Sequence, residues 1–106
     1  MGATKKELFS TKTNRIAELA KAIGHPARVA ILELLAAKQY CVCGDLVDEL
    51  PLSQSTISQH LRELKKVGII QGQIEGVSVC YCIDPKVWKE TQDLLQLFFS
   101  QSFNCC

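Results

Sequence analysis

Residues 53–68 read SQSTISQHLRELKKVG, and the rest of the chain is organised around this stretch. Ser53 is a residue type that caps helix N-termini, Gly68 suits the left-handed position after a helix end, and nothing between them breaks a helix. At about 100° per residue, apolar side chains collect on one side and polar side chains on the other. We therefore predict one two-faced helix. Its apolar side comprises Ile57, Leu61, Leu64 and Val67, and its polar side comprises Ser55, Gln59, Arg62 and Lys66.

The polar side of this helix has an ordered composition. Short hydroxyl and amide side chains come first, and the cations come later. Ser, Thr and Gln reach base edges at short range, whereas Arg and Lys reach the phosphates beside a DNA groove. This order favours a recognition helix in the major groove. The alternative is an ordinary surface helix whose polar face is solvated.

The segments on either side of this helix complete a known motif. Residues 44–50 (GDLVDEL) predict a short helix, which a tight Pro-Leu connection joins to the longer one. Two such helices with a turn between them form a helix-turn-helix. Residues 69–73 and 77–83 are β-prone runs separated by a Glu-Gly pair, which predicts a hairpin. The expected fold is therefore mainly α with a small β-hairpin wing, a winged helix-turn-helix.

The run CVCGDLVDELPLSQSTISQHLRELKKVGII, residues 41–70, resembles the core of the ArsR/SmtB family of bacterial metal-sensing repressors. The resemblance implies a homodimer that sits on double-stranded operator DNA until a metal or metalloid binds and weakens the complex. Together with the polar face of the helix, it predicts base contacts, phosphate contacts and a minor-groove contact by the wing tip. The expected DNA-contacting residues are Ser55, Thr56, Gln59, His60, Arg62, Lys66, Gln73, Glu75 and Gly76.

Length and charge restrict the remaining possibilities. The chain has 106 residues, which suit one domain (1–106), and its formal net charge is only +1. A generic polyanion binder is far more basic, so DNA contacts must come from a local cluster, which Arg62, Lys65 and Lys66 supply. No apolar run is long enough to span a membrane, and no signal-peptide pattern is present, so a cytoplasmic protein is expected.

The flanking segments predict helices over residues 4–23, 26–37 and 85–103, around the helix-turn-helix at 44–67 and the wing at 69–83. The apolar stripe of the last helix is too wide for one partner surface, so the first and last helices are expected to form a dimer interface. A two-fold dimer would place two recognition helices about one DNA turn apart. His25 is expected to be a satisfied hydrogen-bonding histidine rather than a metal ligand.

Cys41 and Cys43 decide what the protein is expected to sense. In a regular helix, residues two apart point about 200° away from each other, whereas in an extended segment they point to the same side. The pair can therefore chelate one ion only where the backbone is extended or distorted. Soft sulfur ligands select As(III), Sb(III), Cd(II) or Pb(II) over hard cations. The alternative is two buried thiols that pack as small hydrophobic groups.

The third sulfur of such a site is missing from the motif. Arsenic-sensing members of the family carry a similar CVCDLC stretch, in which a third cysteine completes a trigonal thiolate site. Here Gly44 is inserted after the second cysteine, and no cysteine stands where the third would be. We expect the third ligand to come from Cys105 or Cys106, ahead of two cysteines in the second wing strand. For those two, Cys80 and Cys82, packing is favoured over ligation.

The sequence thus predicts a repressor that leaves its operator when As(III) or another thiophilic ion binds Cys41 and Cys43. Two alternatives come from other classes. The first is a redox switch, in which Cys41 and Cys43, or the terminal pair, form disulfides or persulfides. The second is a thiol enzyme, which is disfavoured because the chain has no CxxC after a predicted strand and no phosphate-cradling loop.

Overall fold

Four helices and three strands follow one another in the part of the chain that the computed structural model describes, residues 6–39, 41–43, 49–75 and 78–104. This architecture confirms the winged helix-turn-helix. The short helix predicted over residues 44–50 lies mostly outside the described residues. The elements are α1 (Thr11–Ile23), α2 (Pro26–Lys38), β1 (Val42–Cys43), α3 (Gln54–Lys66), β2 (Ile70–Glu75), β3 (Ser78–Ile83) and α4 (Pro85–Phe99).

Helix α1 begins later than the sequence predicts. Its N-cap is Ser10, whose Oγ accepts a hydrogen bond from the backbone N–H of Thr13 at 3.1 Å. A capping serine fixes the start of a helix because it satisfies a backbone donor that has no partner within the helix. The described part of the predicted extension, residues 6–10, is therefore not α-helical. The helix buries Leu19 and Ala22.

Helix α2 is held in place by the residue that precedes it. The Nδ1 atom of His25 accepts a hydrogen bond from the backbone N–H of Ala27 at 3.0 Å, and Pro26 occupies the first helical position. His25 is thus a satisfied histidine, as predicted. Ile31 and Leu35 are almost completely buried and form the centre of the core.

Helix α3 agrees with the prediction at both ends. Ser53 Oγ accepts from the backbone N–H of Thr56, and Gly68 has a φ of +87°, the left-handed conformation that favours glycine after a helix. The predicted apolar side faces the core, where Leu64 is 0% exposed. The core cluster contains Ile31, Leu32, Leu35, Val42, Ile57, Leu61, Leu64, Ile69 and Ile70.

The sheet contains a strand pairing that the sequence did not reveal. The order is β1-β3-β2 and both pairs are antiparallel, so β3 is central. Strands β2 and β3 are the predicted wing hairpin. Strand β1 adds Val42 opposite Tyr81 and Cys43 opposite Cys80. The short CxC segment is therefore joined to the wing.

Helix α4 starts at the predicted Asp84-Pro85 pair and ends at Phe99, four residues before the predicted end. Beyond it, Ser100 Oγ donates to the carbonyl of Leu97 at 2.7 Å, and Gln101 Nε2 donates to the carbonyl of Phe98 at 3.1 Å. These side chains satisfy carbonyls that a longer helix would have used. Within the described residues, no helix combines the length and apolar content needed to cross a membrane.

Candidate nucleic-acid interface and thiol site

The outer side of α3 carries the residues predicted to read DNA. Ser55, Gln59, Arg62 and Lys66 are all exposed, on the side opposite the buried Leu64. Lys66 Nζ lies 3.4 Å from a carboxylate oxygen of Glu63 on the same helix. Exposed pairs of this kind are weak and exchange readily, so Lys66 stays available to a phosphate. The helix thus presents amides and hydroxyls first and cations last.

Thr56 has a partly different position from its neighbours. It is half-buried, and its Oγ1 lies 2.9 Å from Ser53 Oγ, the atom that caps the helix. The Thr56 hydroxyl is thus part of the cap at the end of α3 that enters the groove in the predicted docking. Its backbone N–H also points at Ser53 Oγ.

His60, which the sequence grouped with the DNA contacts, lies on the inner side of α3. It is 8% exposed, its ring centroid is 4.4 Å from that of His25, and its Nδ1 accepts a hydrogen bond from Arg28 Nε at 3.1 Å. Burial lowers the pKa of His60, and the charges of His25 and Arg28 lower it further. We therefore leave His60 out of the DNA-contact set. In the sequence, His60 lies three residues after the buried Ile57 and four residues before the buried Leu64, a spacing that indicates the inner side of the helix.

Arg28 connects three helices at this point. Besides the bond to His60 on α3, its Nη1 donates to the carbonyl of Ala22 at 3.1 Å, near the end of α1. The carbonyls at a helix C-terminus lack partners within the helix, and a guanidinium satisfies them while its charge complements the helix dipole. Arg28 therefore links α2, on which it lies, to both α3 and the end of α1.

The wing lies directly after α3 in the chain. Gln73 pairs with Cys80, and Glu75 pairs with Ser78, in the backbone register of the hairpin. Gly76, at the predicted tip, lies outside the described residues. The backbone thus supports the predicted placement of the wing beside the recognition helix.

The cysteines of the motif come close to those of the wing strand. Register sets Cys43 opposite Cys80, which is 0% exposed and disulfide-bonded. Cys41 and Cys82 are both half-buried and line one cavity of about 580 Å³. The other residues lining this cavity are Leu35, Ala36, Gln39, Gln71, Ile83, Pro85 and Trp88.

The structure therefore does not group the expected ligands as the sequence did. Cys105 and Cys106, the expected source of a third sulfur, lie outside the described residues. The sulfur that shares a cavity with Cys41 is instead that of Cys82, a free thiol on the wing strand. Among the side chains that the structure describes, no three of His, Cys, Asp and Glu form a group that could hold a metal ion.

Helices α1 and α4 pack against each other and are joined by an ion pair. Arg15 donates two hydrogen bonds of 2.9 Å to the carboxylate of Glu90, and it also donates to the carbonyl of Val67 at 3.0 Å. The hydrogen bonds from Arg15 lower the pKa of Glu90. This contact ties both outer helices to the C-terminal end of α3.

Large apolar side chains remain exposed on the outer surface near the ends of these two helices. Phe99 is 73% exposed and Phe103 is 82% exposed. The rings of Phe98 and Phe99 lie edge to face with their centroids 5.0 Å apart, and exposed apolar clusters of this kind mark interaction sites. The set comprises Leu8, Phe9, Leu97, Phe98, Phe99 and Phe103.

Comparison with known proteins places this chain among transcriptional regulators. An uncharacterized HTH-type transcriptional regulator of Methanocaldococcus jannaschii is 45% identical over 78 residues, covering 72% of this chain and 86% of that protein. A cadmium resistance regulatory protein CadC homolog of Staphylococcus aureus is 34% identical over 87 residues, covering 81% and 71%. The SmtB repressor of Mycobacterium tuberculosis is 42% identical over 64 residues, but the matched part is 47% of its length.

Structural and family comparisons agree with these relatives. An ArsR-like transcriptional regulator from Rhodococcus has the same fold, with a TM-score of 0.73, 21% identity and coverage of 87% of this chain and 84% of that one. Residues 25–71 match the model described as bacterial regulatory protein, arsR family. These residues include His25, helix α3 and the start of the wing. The chain therefore belongs to the ArsR family and is a transcriptional regulator of that family.

Proposed function

We propose that this regulator is a homodimeric repressor that binds double-stranded operator DNA and releases it when a thiophilic metal or metalloid, above all As(III), binds at Cys41 and Cys43. The observation that carries the proposal is the position of β1. This strand joins the core helix α2 to the helix-turn-helix and pairs with the wing strand β3. A change of shape at the CxC segment therefore acts on both elements expected to contact DNA.

The DNA-binding half of the proposal rests on the exposed side of α3. Ser55 and Gln59 are exposed and would contact base edges, Thr56 lies at the capped end, and Arg62 and Lys66 are exposed and would contact phosphates. The wing, with Gln73 and Glu75 in β2, would meet the adjacent minor groove. With a formal net charge of only +1, the chain needs this local arrangement to hold DNA.

The dimer rests on the apolar surface at the ends of α1 and α4. Phe98, Phe99 and Phe103 are 49%, 73% and 82% exposed in a single copy of the described chain. In a two-fold dimer the same patch of each copy covers the other, and two α3 helices can read two half-sites of a palindrome. The interface is thus expected where the sequence predicted it, on the first and last helices.

The ion-binding half rests on the type of donors present. Thiols are the ligands that soft ions prefer, and the relative named for cadmium resistance shares 34% identity with this chain. As(III) is favoured by the likeness of the CVC segment to arsenic-sensing motifs. The third sulfur of a trigonal site would come from Cys105 or Cys106. For each tenfold loss of operator affinity, the ion must bind the DNA-free form more tightly by about 1.4 kcal/mol.

The deciding experiment measures binding of operator-length DNA by fluorescence anisotropy under reducing conditions, with and without arsenite. We expect arsenite to release DNA from the parent protein. The Cys41→Ser/Cys43→Ser variant should bind DNA equally well and should not respond. DNA release from this variant at the arsenite concentration that acts on the parent would contradict the proposed site, and failure of the parent to bind any DNA would contradict the repressor.

A redox or persulfide-responsive repressor is the second candidate, and the disulfide at Cys80 favours it. In this case the thiols of Cys41 and Cys43, or those of the terminal pair, would lose two electrons and two protons to an oxidant such as a peroxide and form a disulfide. Titration of the DNA complex with peroxide and with arsenite separates the two candidates. Release by peroxide alone would make the redox switch the better account.

A further inference from the structure

The C-terminal end of α3 and the wing strand β2 meet where the chain reverses direction. Gly68 has a φ of +87°, and its backbone N–H donates to the carbonyl of Lys65 at 3.0 Å. Strand β2 begins two residues later, at Ile70, and packs against α3. The last turn of α3 and the start of β2 therefore form a joint between the recognition helix and the wing, which we call the helix–wing joint.

A cation lies in the helix–wing joint. A Cβ atom built on Gly72 of β2 would lie 3.5 Å from Lys65 Nζ. The same position is 3.5 Å from Cε1 of Tyr81, which is opposite Gly72 in the hairpin register, and 3.6 Å from Cγ1 of Val79. Because Gly72 has no side chain, the ammonium of Lys65 has room close above this glycine. The charge of Lys65 is thereby placed against the wing.

Lys65 points in a different direction from the other two cations of α3. Around the helix axis, Arg62 and Lys66 are only about 40° apart, whereas Lys65 is about 60° from the first and about 100° from the second. Lys65 is exposed, and none of the carboxylates that the structure describes forms an ion pair with it. Lys66, in contrast, lies 3.4 Å from Glu63. Lys65 therefore offers a charge at a place that the outer side of α3 does not reach.

The geometry of duplex DNA gives this charge a partner. One sugar-phosphate backbone separates the major groove from the adjacent minor groove. A protein that places α3 in the first groove and the wing in the second must straddle that backbone, so the helix–wing joint faces its phosphates. We propose that Lys65 binds a phosphate of this backbone and that Gly72 positions the ammonium by leaving it space. The inference rests on the proposed function, because it uses the same docking of α3 and the wing.

A purely structural role for Lys65 is the alternative that the test must separate. Long lysine stems cover apolar surface while the ammonium stays in water, and Tyr81 and Val79 offer such a surface here. Lys65→Met keeps an unbranched apolar stem and removes the charge. A covering role therefore survives this substitution, whereas a phosphate contact does not. The salt dependence of DNA binding reports the difference, because each phosphate that a cation neutralises releases counterions.

The test measures binding of the reduced full-length protein to a labelled duplex of arbitrary sequence and about 30 base pairs, enough for two half-sites one turn apart. Fluorescence anisotropy gives Kd at several concentrations of KCl. Lys65→Met should lower the slope of log Kd against log KCl concentration by about 0.9. The affinity advantage of the parent over this variant should therefore shrink by about 3.5-fold when KCl rises from about 50 to about 200 mM. Lys65→Arg should keep the parent slope, because its guanidinium also binds phosphate.

Lys89→Met is the matched control for net charge. Lys89 is exposed on α4 and pairs with Asp93 at 3.0 Å. Its replacement changes the formal charge of the chain from +1 to 0, as the replacement of Lys65 does. We expect the slope of Lys89→Met to equal that of the parent.

Gly72→Val tests the positioning of Lys65 without removing its charge. The Cβ atom fits at ordinary contact distances, but the two γ carbons need the space beyond it, and the end of the flexible Lys65 chain is the neighbour that moves most easily. Because valine favours strands, the thermal unfolding midpoint should not fall. DNA affinity should fall towards that of Lys65→Met. Gln71→Val places the same side chain on the opposite face of β2 and should retain the parent affinity.

The outcomes separate this inference from the proposed function. A parent slope in Lys65→Met, or an equal decrease of the slope in Lys89→Met, overturns the phosphate contact. Parent affinity in Gly72→Val overturns the positioning by Gly72. In these cases the parent still binds DNA, so the proposed function stands. If the parent binds no duplex at any of these salt concentrations, the proposed function and the inference fail together.

Discussion

Helix α3 and strand β1 both deliver a side chain to the same core, but they are specified in different ways. Leu64 of α3 is 0% exposed and Val42 of β1 is 5% exposed. Every signal for α3 is local, from the Ser53 cap to the apolar spacing and Gly68. Strand β1 has only two residues, and its partner strand lies almost forty positions away. Strand β1 should therefore respond to changes in β3, whereas α3 does not depend on a distant strand in this way.

The largest effect is expected from Leu64→Ala. Removing a large, fully buried side chain loses its transfer free energy and leaves a cavity, so the free energy of unfolding should fall by about 2–5 kcal/mol. Urea denaturation measures it. Gln59→Ala, on the exposed side of the same helix, is the control and should change stability by less than about 0.5 kcal/mol. Similar losses from both variants would mean that the two faces of α3 are wrongly assigned.

A smaller loss is expected from Val42→Ala in β1. Two buried methylene equivalents at about 0.8 kcal/mol each give about 1.6 kcal/mol. Because β1 pairs only with β3 in the described sheet, amide hydrogen exchange should also accelerate across β3. Val79→Ala, at a position of β3 that is 44% exposed, is the control. If exchange in β3 did not change in Val42→Ala, β1 would not support the wing.

Ser53→Ala tests how local the specification of α3 is. Loss of the hydroxyl that accepts from the Thr56 N–H should cost about 1 kcal/mol of the free energy of unfolding. Ser58→Ala changes an exposed position inside the same helix and should be neutral or slightly stabilising, because alanine favours helices. Thermal unfolding of the two variants measures the difference in their stability. Equal unfolding midpoints would mean that the Ser53 cap does not stabilise the protein.

Glu90→Gln tests a long-range contact at the surface. The pair with Arg15 is part-exposed, so its loss should cost no more than about 1 kcal/mol. The pKa of Glu90 is lower in the folded state than its ordinary value of about 4.5. The stabilisation by the Arg15–Glu90 pair is therefore present at neutral pH and is lost as the pH falls below about 4.5. The two proteins should therefore converge in stability in acid. Asp93→Asn, which removes an exposed pair with Lys89, is the control and should change little.

His60 should make stability depend on pH near neutrality. Its pKa is lowered in the folded state, so the unfolded chain takes up a proton first when the pH falls through about 6.5. The free energy of unfolding should decrease from that pH downward until the folded pKa is reached. His60→Gln should show a shallower decrease in urea titrations at several pH values. An equally steep decrease in the free energy of unfolding of His60→Gln would mean that another titratable group causes the pH dependence.

The local elements were the predictable ones. Helix α3, the start of α4 and the wing follow from caps, spacing and turn residues that lie within a few positions of one another. Helix α1 begins later than predicted because Ser10 caps it. This cap was hard to identify in the sequence because the first segment is polar. The spacing of His60 from Ile57 and Leu64 indicated its inner position. Because histidine is polar, the sequence analysis nevertheless grouped it with the DNA contacts.

The grouping of cysteines was not predictable from spacing. The CxC motif showed that Cys41 and Cys43 need an extended backbone, and β1 confirms an extended segment at Val42–Cys43. Its partner could not be deduced, because β1 and β3 pair directly although they lie almost forty positions apart in the chain, with α3 and β2 between them in sequence. A core strand cysteine such as Cys80 also resembles an ordinary buried residue in sequence. Only register sets it opposite Cys43.

The disulfide at Cys80 has a quantitative consequence if this sulfur, and not that of Cys105 or Cys106, completes the proposed ion site. Only the reduced fraction of chains can then bind the ion, so the apparent dissociation constant equals the intrinsic constant divided by that fraction. When about a tenth of the chains is reduced, about ten times more ion is needed for the same occupancy. The ion concentration that triggers release would then rise and fall with the thiol–disulfide balance of the surroundings.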